Sequence, residues 1–219
     1  MSIRLAVSVE GQTEERFVKD LLAPHLILRN IHATAVLVST GRNASGSKSK
    51  GGGINFDRVR NELTRLLPSY RDGFVTSLYD FYGFGGKLPG ETAEALQERM
   101  TSALGNAPNL IAYVQRHEFE ALLLSDAAVL ADYFSEASLR AAVSKVVERA
   151  GSPEDVNDSP TTAPSKRLKK WTERLEPVRR YSKAIDGPLL AGRLTLPLIR
   201  AACPRFGAWL TRLEGLAKR

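Results

Sequence analysis

Two rhythms of apolar and polar positions run through the first half of the chain. Ile3, Leu5, Ala6, Val7 and Val9 form a short apolar run that stops at Glu10 and Gly11, the pattern of a strand buried on both faces. Thr13 follows at a capping position, with Glu14 and Glu15 in the first turn, and Phe17, Leu21 and Leu22 recur at helical spacing. This predicts a helix over 13–28, with Pro24 bending it or ending its first part. The same reasoning predicts a strand over 31–38, an amphipathic helix over 56–67, a strand over 74–79, a helix over 91–104 and a strand over 110–114, after which "HEFEALLL" opens a further helix. The stretch "STGRNASGSKSKGGG" breaks both rhythms with glycine, serine and base and reads as a mobile loop, and "DFYGFGGKLPG" reads as a turn-rich loop. Beyond Asp126 the patterns are helical only, interrupted by "GSPEDVNDSPTTAPSKR".

Strands that alternate with helices predict an α/β fold with a mostly parallel sheet flanked by helices. The helical remainder predicts a C-terminal annex, with a boundary that places the core at 1–125 and the helical region at 126–219. Hydrophobic residues make up 43% of the 219 and charged residues 25%, the balance of a soluble globular protein. Stretches such as "LIAYV" and "ALLL" are too short to cross a bilayer, and the first apolar run reads as a core strand rather than a leader. With a single cysteine, Cys203, no intramolecular disulfide forms. A buried thiol and a cytoplasmic location without membrane attachment are expected.

Ligands of open parallel sheets bind beyond the carboxyl ends of the strands. Three of the four predicted strands end at acids there: the first at Glu10, the third at Asp80, and the fourth just before His117, Glu118 and Glu120. Crowded carboxylates repel, and a divalent cation relieves them; Mg²⁺ takes oxygen ligands and fills its remaining positions with water and substrate phosphates. The chain carries 31 lysines and arginines against 24 acids, a formal charge of +7, and a basic surface favours polyanions. Local acidity in a basic protein fits a phosphodiester-cleaving site that uses Mg²⁺ or Mn²⁺ on a nucleic acid.

Four motifs carry a family resemblance: "VEGQTEERFVKDLL", "LYDFYGF", "RHEFEALLLSD" and "SPEDVNDSPTTAPSKRL". Together they resemble an uncharacterised bacterial family of the Toprim-like clan, related to nucleases of the overcoming-lysogenization-defect class. The resemblance implies a Toprim-like (Rossmann-like) fold, a first glutamate in acid/base work or metal binding, matching Glu10, and an Asp-x-Asp pair that holds Mg²⁺. Here that pair reads Asp80-Phe81-Tyr82, with tyrosine in place of the second aspartate. Glu118 or Glu120 is a candidate for the missing carboxylate. The resemblance also implies an antiviral nuclease working with an ATPase partner; a catalytically inactive regulatory subunit of that ATPase is the alternative.

The remaining candidates are basic or histidine side chains. His117 could shuttle a proton or contact phosphate. Arg42, Lys48 and Lys50 in the glycine-rich loop, and Lys166 and Arg167 after "PEDVND", are candidates for phosphate-backbone contact. The loop lacks the ending of a nucleotide-binding P-loop. His25 and His32 read as residues without a role, and Trp171 and Trp209 as helix anchors.

Overall fold

A computed structural model describes residues 2–42, 48–50, 53–156, 159, 161–173, 175 and 179–218, without the side chains of 39–42, 48–50 and 218. The chain divides into two compact units, one of residues 1–115 with 212–219 and the other of 116–211.

The first unit holds a parallel sheet. Strands β1 (Ile3–Val9), β2 (Ile31–Leu37), β5 (Phe74–Asp80) and β6 (Leu110–Ile111) lie in the order β2-β1-β5-β6, and β7 (Val114–Gln115) also pairs with β5. Every pairing in this sheet is parallel, which requires crossover connections. The predicted fourth strand is broken at Ala112–Tyr113, where side chains of β5 take over from the ladder. Thr76 Oγ1 donates to the Ile111 carbonyl at 2.5 Å, Ser77 Oγ donates to the Tyr113 carbonyl at 2.8 Å, and the Tyr113 amide donates back to Ser77 Oγ at 2.9 Å.

The crossover between β1 and β2 is one helical run: α1 (Gln12–Phe17), a π-helical turn over Val18–Leu22, and α2 (Ala23–Ile27). Pro24 cannot donate to the carbonyl of Asp20, and the widened turn lies directly ahead of it, so the helix continues where the sequence predicts a bend or an end. Helices α3 (Phe56–Ser69) and α4 (Ala93–Ala103) bury Val59, Leu63, Leu96 and Met100 in a core with Ala6, Val75, Tyr79 and Val114. Asn55 and Thr92 cap these helices by accepting from the amides of Arg58 and Ala95. The returning C-terminus is tied to α2, where Glu214 accepts from His25 at 2.6 Å and pairs with Arg29 at 3.5 Å. His25 therefore has a structural partner that its position in the sequence does not suggest.

Residues 39–42 and 48–50 depart from the predicted mobile loop. Strands β3 (Ser39–Arg42) and β4 (Lys48–Lys50) form a two-stranded antiparallel ribbon. Antiparallel pairing needs only a short connection, so glycine and serine do not preclude it.

In the second unit, no described residue joins a strand. Its elements are α5 (Glu120–Leu123), α6 (Ala127–Phe134), α7 (Ser138–Ala150), a 3₁₀ turn at Pro153–Asp155, α8 (Pro164–Thr172), α9 (Lys183–Arg193), α10 (Leu196–Ala202) and α11 (Pro204–Glu214), the last running on into the first unit. Tyr133 donates to Asp186 at 2.7 Å and lies under the guanidinium groups of Arg179 and Arg193. Cys203 is fully buried and its thiol is pushed up to about 12 by that burial, so it is an inert packing residue. Among the described residues no helix is long and apolar enough to cross a membrane.

Candidate functional site

The carboxyl edge of the sheet is built around the ends of β1 and β5. Val9, the last residue of β1, pairs with Leu78 of β5, so Glu10 follows the carboxyl end of one strand and Asp80 closes the carboxyl end of its parallel neighbour. Asp80 is buried and pairs in register with Gln115 of β7, whose carbonyl accepts from the Phe81 amide at 3.0 Å. Glu10 is half-buried. The Tyr79 hydroxyl is held well above its ordinary range, first by complete burial and further by the negative charges of Glu62 and Glu10, and it donates to Ser8 Oγ at 2.6 Å.

The structure adds an acid that the sequence reading assigns only to a helix's first turn. Glu14 is 1% exposed. Gly11 precedes α1 in extended backbone, and a Cβ built on it would meet Glu14 Oε2 at 3.1 Å. The carboxylate therefore lies against the glycine Cα, in space that a side chain at position 11 would enter. The signal is present in the sequence: Glu14 shares a stripe with Phe17, Val18 and Leu22, all buried, and an acid on an apolar stripe is an exception worth weighing.

The loop after Asp80 is held firmly. Arg99 grips Glu91 through Nε at 2.6 Å and Nη2 at 2.8 Å, lies 3.8 Å from the centre of the Phe56 ring, and also donates to the Gly86 carbonyl. The guanidinium holds the Glu91 carboxyl below the usual range. Lys87 donates to the Phe81 carbonyl at 2.9 Å. Gly85 exchanges backbone bonds with Ile54 and Phe56, and a Cβ there would meet Asn55 Cβ at 2.9 Å. Tyr82 is half-buried in this loop.

Oxygen donors of this kind suit Mg²⁺ or Mn²⁺. Among the described residues, however, no three His, Cys, Asp or Glu side chains form a group that could hold a metal ion. Glu10, Glu14 and Asp80 share an edge without closing into such a cage.

The other predicted carboxylates serve the second unit. Glu118 accepts from the Ser165 amide at 2.5 Å and from Ser165 Oγ at 3.1 Å, at the start of α8. Glu120 is fully buried, accepts from the Tyr181 hydroxyl at 3.2 Å and pairs with Lys183 at 3.4 Å. Glu154, missed in the sequence, does for α11 what Glu118 does for α8, accepting from the amides of Arg205 at 2.8 Å and Phe206 at 3.2 Å. Its carboxyl is raised above the usual range by burial. The residues preceding these two helices, Ala163 and Cys203, have no side-chain oxygen, and proline opens each helix. A distant glutamate therefore supplies the acceptor that an N-cap residue normally brings.

His117 adopts a left-handed backbone at φ 65°, a conformation uncommon for non-glycine residues though less so for asparagine, aspartate and histidine. Lys166 is exposed, whereas Arg167 donates from Nε to the Thr162 carbonyl at 2.7 Å. Arg42, Lys48 and Lys50 belong to the β3–β4 ribbon, where the backbones of Arg42 and Lys48 pair. Asn157 and Asp158, which the sequence offers as residues to cap or brace the site, lie outside the described residues.

No curated protein and no solved structure matches the chain. A family described as a domain of unknown function, DUF4276, matches residues 9–214. Covering nearly the whole length, that match makes the chain a member of the DUF4276 family.

Proposed function

We propose that this protein is a Toprim-like, Mg²⁺- or Mn²⁺-dependent nuclease of the cytoplasm that hydrolyses phosphodiester bonds of DNA or RNA. The observation that carries the reading is the register of β1 and β5, which delivers Glu10 and Asp80 to one carboxyl edge with Glu14 buried beside Gly11. Glu10 and Asp80 hold the cation, and Glu10 positions the attacking water. A bound cation would polarise the phosphoryl oxygen and neutralise the leaving oxygen. The net charge of +7 favours the polyanion. The motif resemblance extends the proposal to antiviral defence beside an ATPase.

Purified protein incubated with labelled DNA and RNA should cleave at least one of them when Mn²⁺ is added. Glu10→Gln and Asp80→Asn should each lower that rate by about 10²-fold or more. Metal-dependent cutting that survives Glu10→Gln would overturn the assignment. A second reading, a Toprim-fold regulatory subunit docked on an ATPase, is favoured by Tyr82 in place of the second aspartate. Absence of heat on titration with millimolar Mn²⁺, together with absence of cleavage, would select it.

A further inference from the structure

The second unit carries a basic pocket whose lining includes none of the candidate site residues. An open cavity of about 470 Å³ is lined by Lys169, Arg180, Tyr181, Ser182 and Lys183. Three of these five side chains are cations and none is an acid. We propose that this pocket seats backbone phosphates of a nucleic-acid strand; the identity of the polyanion rests on the nuclease reading above.

The pocket is built rather than incidental. Its floor is pinned from three directions: the Tyr181 amide donates to Thr172 Oγ1 at 2.7 Å, the Tyr181 hydroxyl reaches Glu120, and the Ser182 amide donates to Asp186 Oδ2 at 2.6 Å. These bonds fix the end of α8 against the start of α9, so that Lys169 from one helix and Lys183 from the other line the same space. Arg180 contributes a guanidinium fork, whose planar donors match phosphate oxygens. Its pairing with Glu173 at 3.7 Å joins two side chains that are each more than half exposed, a contact that contributes little. Lys183 pairs with the buried Glu120 and is oriented by it.

The chemistry selects phosphate over a base. Tyr181 is buried and offers no ring face for stacking, so contacts here are electrostatic and independent of sequence. Lys166 stands one turn ahead of Lys169 on the same face of α8 and extends the track. Beyond Lys166 and Arg167, the candidates for phosphate contact, the sequence reads this basic run as a solvated helix face. Its second half becomes part of a pocket only because residues 180–183 return to it.

The test is fluorescence anisotropy with a labelled single-stranded DNA oligonucleotide, in EDTA so that no cleavage contributes. The double variant Lys169→Gln/Arg180→Gln spares Lys183 and so leaves Glu120 with its partner. It should bind about tenfold more weakly, with a salt dependence shallower by about one to two in log K against log salt. Lys145→Gln, an exposed charge on α7, serves as control for loss of overall charge and should change affinity less than about twofold. Circular dichroism should show all variants equally folded. A double variant whose affinity and slope match the control would overturn the proposal. So would inorganic phosphate that, at constant ionic strength, erases the difference between wild type and double variant, since that would define a site for a lone phosphate instead of a strand. Because binding is read in EDTA and cleavage only with Mn²⁺, failure here is distinguishable from failure of the nuclease reading.

Discussion

Replacing Glu118 with alanine removes both acceptors that hold the start of α8. Loss of a helix cap costs about 0.5–2 kcal/mol, and a buried donor left without an acceptor costs about 1–3 kcal/mol. The two descriptions overlap, because the Ser165 amide is the donor in both. A net loss of about 2–3 kcal/mol is expected. For a chain of this size that lowers Tm by about 4–12 °C. Ser165→Ala removes only the hydroxyl contact and should cost about 1 kcal/mol. The double variant should then fall short of the sum of the singles, with a coupling of at least about 0.5 kcal/mol. Urea unfolding followed by circular dichroism measures all three. If Glu118→Ala stays within about 0.5 kcal/mol of wild type, the assignment of this carboxylate as a cap is refuted, and its candidacy as a metal ligand regains force. Under the assignment made here, Glu118→Gln keeps one acceptor and should leave any Mn²⁺-dependent cleavage at its wild-type rate at a temperature where the variant is folded.

Two further outcomes follow from neighbouring features. Burial raises the Glu154 carboxyl in the folded chain, so its share of stability is complete below the unfolded pKa and is lost as pH rises through the raised folded value; urea midpoints measured from acid toward neutral pH should decline, and Glu154→Gln should flatten that decline. Gly85→Ala drives a Cβ to within 2.9 Å of Asn55 Cβ and should cost about 1–3 kcal/mol by urea unfolding; a wild-type midpoint would contradict the tight approach of this loop to the start of α3.

The sheet was legible because each strand is an apolar run ended by a polar residue, and the rule for parallel sheets turned those ends into Glu10 and Asp80. Glu14 escaped because an acid in a first turn already has a satisfactory local explanation in the helix dipole. Only the packing of α1 shows that it faces inward beside Gly11. The capping roles of Glu118 and Glu154 escaped for a different reason. Their partners lie 47 and 51 residues away, and no periodicity reports contacts at that distance. The break at Ala112–Tyr113 depends on hydroxyls of Thr76 and Ser77, which pattern reading treats as strand formers and nothing more. The β3–β4 ribbon was hidden by its composition, since glycine, serine and lysine are poor strand formers.

The remote caps bear on how the second unit assembles. Helical regions ordinarily gain structure early, because their bonds close over a few residues. Here α8 and α11 each depend on a carboxylate synthesised long before them, and neither brings a cap of its own. Their first turns should remain frayed until those glutamates arrive by chain collapse. A region composed of helices would then acquire its order late and all together, with the kinetics more usual for a sheet of distant strands.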